Sequence, residues 1–142
     1  MKGVAALGLD LGRRRIGVAG CDGLGLTARG LTTISRKSFD RDIAELRRWV
    51  VERDATVLVV GLPYQMDGEL GKQAYRVQKL AKRIAQALQL PIEFVDERLS
   101  SVEAEELMRE AGQEPSREKG TVDRKAAALI LQRWLDERRG SG

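Results

Sequence analysis

Residues 3–22 form the segment that decides the fold, with the sequence GVAALGLDLGRRRIGVAGCD. The run at 3–10 is almost wholly apolar and does not alternate with polar residues, which predicts a strand buried on both faces. A second run, rich in small residues, follows at 14–22, and the intervening Gly12-Arg13 is typical of a tight turn. The chain is therefore predicted to open with a β-hairpin.

The remaining sequence alternates between strand and helix patterns. Strands are predicted at 26–35, 55–63 and 91–95, and helices at 38–53, 70–88, 100–112 and 121–138. Ser38 is the predicted N-cap of the first helix and Thr121 that of the last. A polar loop is predicted at 113–120. The order predicts an α/β fold with a mixed five-stranded sheet flanked by helices. We expect its first three strands to form an antiparallel meander that is joined by parallel strands. We expect one domain over 1–138 and a disordered tail at 139–142.

Composition narrows the possible functions. The chain has 142 residues, 42% of them hydrophobic, and a net charge of +4, which is compatible with a polyanionic partner. Cys21 is the single cysteine and excludes an internal disulfide, which fits a reducing cytoplasm. The sequence has neither a secretion signal pattern nor an apolar run long enough for a membrane span, so we expect a cytoplasmic protein with no membrane partner.

The chain contains no histidine. This excludes Ser-His and Cys-His nucleophile systems and an imidazole general base. A zinc site of the usual kind is excluded as well, because it needs several Cys or His ligands. Any catalysis must therefore depend on carboxylates, lysines or a bound metal.

Acidic residues stand at three places where the apolar pattern leaves little room for a charge. Asp10 ends the first apolar run, and Asp96 and Glu97 follow the apolar residues of the strand predicted at 91–95. Asp123 lies in the first turn of the last predicted helix, on its apolar face. Burying a carboxylate costs several kcal/mol unless it is paired or binds a metal. Three such places predict one shared site, with a divalent cation as the simplest partner.

The predicted site is suited to Mg²⁺ or Mn²⁺, which prefer oxygen ligands. Strand ends that meet at one edge of an α/β sheet would bring the acids together. Each acid also has a structural interpretation. Asp10 can simply end a strand, Asp96 and Glu97 can pair locally with Arg98, and Asp123 can be an acid favoured by the helix dipole.

Basic residues flank the predicted site. Arg13, Arg14 and Arg15 lie between the first two strands, where they would either neutralise phosphates or form a solvated turn. Arg98 would either contact a phosphate or pair with an acid. The cations Arg117, Lys119, Arg124 and Lys125 cluster around Asp123 in the sequence, so the predicted loop at 113–120 would close over a nucleic acid.

Four motifs resemble those of the YqgF (RuvX) family and occur in order over residues 8–136. They are GLDLGRRRIGVA at 8–19, VVGLP at 59–63 with MDG at 66–68, DERLSS at 96–101, and DRKAAA at 123–128 with ILQ at 130–132 and LD at 135–136. The resemblance implies a ribonuclease H-like fold related to the RuvC resolvases. It also implies a nuclease that acts on structured nucleic acid, either the 5′ end of pre-16S rRNA or four-way (Holliday) DNA junctions.

The resemblance also implies roles for the acids. Asp10 matches the metal ligand of the first strand and Asp123 the helical ligand, while Glu97 matches the second ligand with Asp96 as the close alternative. RuvC-type sites use four carboxylates, so Asp96 would supply the fourth or the second metal would be weakly held. Asp10, Glu97 and Asp123 would then be catalytic in a two-metal in-line displacement at phosphorus. A symmetric junction would suit a homodimer.

Two other classes of function remain open at this point. Actin-like ATPases and sugar kinases also use a DLG segment followed by GVA, here at 10–12 and 17–19. They need a second domain to enclose the nucleotide, for which 142 residues leave no room. The other alternative is a nucleic-acid-binding factor in ribosome biogenesis or transcription that does not cleave.

Overall fold

The computed structural model describes residues 5–63, 71–96 and 119–141, and within the last range the side chains of 121–138. The strands are β1 (Ala6–Leu11), β2 (Arg15–Cys21), β3 (Ala28–Ser35), β4 (Val57–Leu62) and β5 (Ile92–Asp96), and the helices are α1 (Phe39–Arg53), α2 (Lys72–Leu88) and α3 (Lys119–Ser141). The helix predicted at 100–112 lies outside the described residues.

The strands form one mixed sheet in the order β3-β2-β1-β4-β5. β2 is antiparallel to both β1 and β3, whereas β4 is parallel to both β1 and β5. The predicted meander joined by parallel strands is therefore confirmed. Because β1, β4 and β5 run in the same direction, their carboxyl ends meet at one edge of the sheet.

The two faces of the sheet are covered by different helices. In β1, Leu7 and Leu9 are fully buried in the core that includes residues of α1 and α2. Ala6 belongs instead to the core formed with α3, which includes Ala127 and Leu131. Since side chains alternate along a strand, Asp10 lies on the same face as Ala6, toward α3.

The start of α1 agrees with the prediction from sequence. The Ser38 hydroxyl accepts a hydrogen bond from the amide of Arg41 at 3.2 Å, and Asp40 and Asp42 lie in the first turn. The helix ends at Asp54, which adopts the left-handed conformation with φ 51°. These local signals fix the helix ends without help from the rest of the fold.

The start of α3 differs from the prediction. The helix begins at Lys119, so residues 119–120 are helical and Thr121 is not its N-cap. The Thr121 hydroxyl instead accepts from Nη2 of Arg124 at 3.0 Å, within the helix. Asp123 therefore lies in the second turn, not the first. The helix also continues past the predicted end at Arg138 to Ser141.

None of the described helices is both long and apolar enough to span a bilayer.

Candidate active site at the junction of β1 and α3

Three glycines let α3 lie directly on the sheet. A Cβ atom at Gly8 would stand 2.9 Å from the carbonyl oxygen of Ala127, and one at Gly30 would stand 2.7 Å from Cβ of Arg124. The closest approach is at Gly17, where a Cβ would stand 2.1 Å from the carbonyl oxygen of Asp123. No larger residue fits at Gly17 unless the helix moves.

The glycine at position 17 also connects α3 with β1. Gly17 is the partner of Asp10 in the register between β1 and β2. The backbone of Asp123 therefore lies over the residue next to Asp10, on the face toward which Asp10 points. Asp10 and Asp123, far apart in the sequence, form what is here named the carboxylate pair.

The carboxylate pair is unfavourable for Asp10. Burial, reinforced by the negative charge of Asp123, raises the pKa of Asp10 from 3.8 to about 6. Among the residues that the structure describes, none donates a hydrogen bond to the Asp10 carboxylate. An acidic group placed in this way gains stability from any cation that binds beside it.

Asp123 has a cationic partner. Nε of Arg15 donates to Oδ2 of Asp123 at 2.5 Å, and both side chains are partly buried. Arg15 begins β2 and shares the α3 face of that strand with Gly17. Arg15, which was predicted to contact phosphate, therefore also forms an ion pair within the site. This ion pair offsets one of the two negative charges of the carboxylate pair.

The end of β5 contributes to the same edge of the sheet. Its residues alternate between the two cores, with Phe94 packed on the α1 and α2 side and Val95 buried on the α3 side. By this alternation Asp96 belongs to the face opposite Asp10. The backbone carbonyl of Asp96 accepts a hydrogen bond from Nη1 of Arg133 in α3. Glu97 lies outside the described residues.

The predicted nucleic-acid contacts are only partly described. Arg13 and Arg14 are exposed on the turn between β1 and β2. Arg124 is half-buried, and its Nη1 donates to the Thr33 hydroxyl of β3 at 3.3 Å, so it also connects α3 with the sheet. Lys125 is half-buried. The predicted contacts Arg98, Arg117 and the side chain of Lys119 lie outside the described residues.

The donor atoms suit a hard divalent cation, although the described residues supply only two of the predicted ligands. Over 5–63, 71–96 and 121–138, no group of three or more acidic, histidine or cysteine side chains comes together as a metal site. Asp10 and Asp123 offer oxygen ligands only, which Mg²⁺ and Mn²⁺ prefer. Burial and the nearby charge of Asp123 raise the pKa of Asp10, so a cation beside it would stabilise its ionised form.

Several residues that position the site were not singled out from the sequence. Gly8, Gly17 and Gly30 set the distance of α3 from the sheet. Further along α3, Gln132 connects the helix with the start of β3. Its side chain accepts a hydrogen bond from the amide of Ala28 at 2.8 Å and donates one to the carbonyl of Leu26 at 2.9 Å. The small residues in the predicted strands indicated a close backbone contact, but the sequence did not indicate which helix makes it.

A mixed sheet with an acidic pair between its first strand and its last helix defines a protein of the ribonuclease H-like class. The fold is similar to that of Thermus thermophilus RuvC, solved alone and in complex with a Holliday junction substrate. For the complex, the TM-score is 0.56 at 16% identity, and the match covers 97% of this chain and 97% of RuvC.

The chain belongs to the RuvX family, whose model, described as "Holliday junction resolvase", matches residues 4–137. Two similar relatives carry the name "Putative pre-16S rRNA nuclease". The protein from Acaryochloris marina is 64% identical, covering 97% of this chain and 96% of its own. The protein from Synechocystis sp. is 59% identical, covering 97% of this chain and 91% of its own.

Proposed function

We propose that this protein is a divalent-metal-dependent endonuclease, a hydrolytic phosphodiesterase that acts on structured nucleic acid and processes the 5′ end of pre-16S rRNA. The observation that carries the proposal is the carboxylate pair. Asp10 and Asp123 are brought together by the close contact at Gly17, on a fold shared with RuvC and in a family of nucleases. A partly buried acid with a raised pKa, kept next to a second acid, is typical of a functional site.

The cation would be held by the carboxylates of Asp10 and Asp123, with Glu97 as a third ligand. It would supply Lewis-acid chemistry, by activating water and neutralising charge on the phosphate. The residues of the chain hold and orient the charges around it. Arg15, which pairs with Asp123, would contact a phosphate oxygen once a cation compensates the carboxylates.

Glu97 is the better candidate than Asp96 for the third ligand. The alternation of β5 assigns Asp96 to the α1 and α2 face, whereas the carboxylate pair lies on the α3 face. Glu97→Gln should therefore lower metal-dependent cleavage roughly 100-fold or more, because it removes a direct metal ligand. Asp96→Asn should lower it by no more than about tenfold, the lower limit for loss of an indirect metal contact. The reverse order in a cleavage assay would assign the role to Asp96.

The names of the relatives favour RNA processing as the primary function. Those from Acaryochloris marina and Synechocystis sp. are named for pre-16S rRNA. A cytoplasmic location, which fits a lone cysteine, would suit either substrate. A second function, resolution of four-way DNA junctions by a homodimer with two sites, is favoured by the description of the family model.

The test is cleavage of labelled pre-16S rRNA 5′ leader, four-way DNA junction and single-stranded controls with Mg²⁺ or Mn²⁺. Wild type should cut, and Asp10→Asn and Asp123→Asn should lose at least 100-fold in rate, because each removes a metal ligand. Glu52→Gln, an exposed carboxylate of α1, is the matched control and should retain activity. The substrate that is cut fastest identifies the function.

Binding measured in EDTA separates the alternatives. If the wild type binds these substrates but cuts none of them with either metal, the protein is a non-cleaving factor and the proposal fails. If cleavage continues in Asp10→Asn, the carboxylate pair is not the active site.

A further inference from the structure

A second charged surface lies on the opposite face of the sheet, between the β1–β2 turn, α1 and α2. Two adjoining cavities of about 350 and 410 Å³ open there and share Arg13, Arg36 and Leu80 in their walls. The cations that line them define the basic groove: Arg13, Arg36, Lys37, Arg76 and Arg83, all of them exposed.

The charge of the basic groove is almost entirely positive. Among the residues that the structure describes, five cationic side chains line it, and Asp42 supplies the one carboxylate. Asp42 is only 8% exposed, and its carboxylate accepts a hydrogen bond from the amide of Lys37 at 3.1 Å. The buried acid is engaged with the start of α1, so the groove presents cations to solvent and is suited to a polyanion.

Two of the guanidinium groups are held in place. Nη1 of Arg36 donates to the carbonyls of Gly12 and Arg13, at 2.9 and 3.3 Å, so its side chain is fixed against the β1–β2 turn. The guanidinium of Arg83 stacks over the ring of Phe39, 4.3 Å from its centre. Cations that are already positioned lose less entropy when they bind phosphates.

The groove begins next to the carboxylate pair. Leu11, which lines it, follows Asp10 directly in β1, and the two side chains point to opposite faces of the sheet. Consecutive residues of a strand are only about 3.3 Å apart along it, so the carboxylate pair and the groove are separated mainly by the sheet itself. A nucleic acid bound at the carboxylate pair would reach the groove by crossing the β1–β2 turn at the edge of the sheet. A duplex is too stiff to bend over such an edge, whereas a single strand can follow it.

We propose that the basic groove binds the backbone phosphates of a single-stranded extension of the substrate. The inference rests on the proposed function, because the extension continues from the strand held at the carboxylate pair. The groove thereby selects structured nucleic acids that carry a single-stranded end over fully paired ones. Its floor includes the half-buried Leu80, an apolar surface that a base can contact without its sequence being read.

The test compares an RNA hairpin with a ten-nucleotide single-stranded extension and the same hairpin with a blunt end. Binding is measured by fluorescence anisotropy in EDTA, so that the result does not depend on cleavage. The variant Arg76→Gln with Arg83→Gln is compared with Arg48→Gln with Lys82→Gln. The control pair removes the same charge from exposed positions of α1 and α2 that do not line the groove.

Wild type and the control variant should bind the extended hairpin more tightly than the blunt one. The groove variant should lose roughly 10- to 30-fold in affinity for the extended hairpin at 0.1 M salt, and its salt slope should fall by about 1.4, for two phosphate contacts. Affinity for the blunt hairpin should be unchanged. Arg76→Gln alone, which leaves the contact between Arg83 and Phe39 intact, should show about half of the change in slope.

The proposal is overturned if the extension does not improve wild-type binding, or if the groove variant keeps the improvement. An equal loss on both hairpins would also overturn it, because the groove would then contact the duplex. Failure of the proposed nuclease function has a different signature, namely absence of cleavage with Mg²⁺ or Mn²⁺ while the effect of the extension on binding in EDTA persists.

Discussion

The Asp10 carboxylate opposes folding when no cation is bound beside it. Its side chain lies at the end of a strand that is otherwise buried, under a helix that brings a second carboxylate. Desolvation disfavours the ionised form, and the charge of Asp123 disfavours it further, which together raise the pKa of Asp10 to about 6. Arg15 pairs with Asp123 and relieves only part of this repulsion.

The stability of the metal-free protein should respond to removal of this charge. The pKa of Asp10 is about 6 in the folded state, against an ordinary value of 3.8 for an aspartate, so between these pH values the folded state binds a proton that the unfolded state does not. The loss of folding stability caused by ionised Asp10 is absent below pH 4, grows as the pH rises from 4 to 6, and is complete above that pH. Asp10→Asn should therefore raise the free energy of unfolding by about 1–3 kcal/mol at pH 7.5 and change it little at pH 4.

Urea unfolding in EDTA at pH 4, 5.5 and 7.5 measures this difference. Glu52→Gln, which removes an exposed carboxylate of α1, is the control for the change in net charge and should have no comparable effect. A variant Asp10→Asn that is no more stable than wild type at pH 7.5 would show that the ionised carboxylate is not unfavourable in the fold.

At the scale of the elements, the contact between α3 and the sheet determines the geometry of the site. The helix approaches so closely because the strands offer glycines where it crosses them, at Gly8, Gly17 and Gly30. The contact at Gly17 is the one that positions Asp123 next to Asp10. The spacing of the two carboxylates thus depends on a residue that has no side chain.

Gly17→Ala should both destabilise the protein and reduce cleavage. The added Cβ would stand 2.1 Å from the carbonyl oxygen of Asp123, so α3 has to shift away from the sheet. Overpacking of this kind costs typically 1–3 kcal/mol. The matched control is Gly23→Ala in the β2–β3 turn, where a Cβ meets nothing within 4 Å. Urea unfolding and the cleavage assay should change for Gly17→Ala alone, and equal behaviour of the two variants would contradict the role of the contact.

The sequence predicted those features that local patterns determine. Continuous apolar runs marked β1 and β4, β-prone residue types marked β3, and Ser38 correctly marked the start of α1. The start of α3 at Lys119 was missed because Thr121, a residue type that commonly caps helices, was interpreted as the N-cap. Packing on the sheet, through residues such as Ala127 and Ile130, can stabilise a helix beyond what its local signals predict.

The candidate site was predictable only in part, because it too depends on packing between segments that are distant in the sequence. Asp10 and Asp123 were recognisable as acids in apolar surroundings, but their meeting through Gly17 depends on which helix crosses which strands. The basic groove was not predicted, since Arg36 and Arg76 come from segments that only the tertiary fold brings together. A pattern within one segment carries no information about such contacts.

At the scale of the whole molecule, the metal and the single-stranded extension of the substrate are expected to bind on opposite faces of one sheet. The carboxylate pair lies under α3, whereas the basic groove lies between α1 and α2, and the β1–β2 turn separates them. The acidic carboxylate pair and the basic groove are therefore separate regions, which the net charge of +4 alone does not indicate. A cation at the carboxylate pair would reduce the repulsion between that region and an incoming phosphate backbone.

Binding of Mg²⁺ or Mn²⁺ should stabilise the whole fold through the carboxylate pair. A cation that binds only the folded state contributes about 2.7 kcal/mol at one hundred times its dissociation constant, which for a domain of this size corresponds to a rise in Tm of roughly 5–10 °C. Because the proton competes for Asp10 below its pKa of about 6, the rise should be smaller at pH 5 than at pH 7.5. Differential scanning fluorimetry at constant ionic strength measures it, and Asp10→Asn should abolish it while Glu52→Gln retains it. A rise of the same size in Asp10→Asn would mean that the cation binds elsewhere in the molecule.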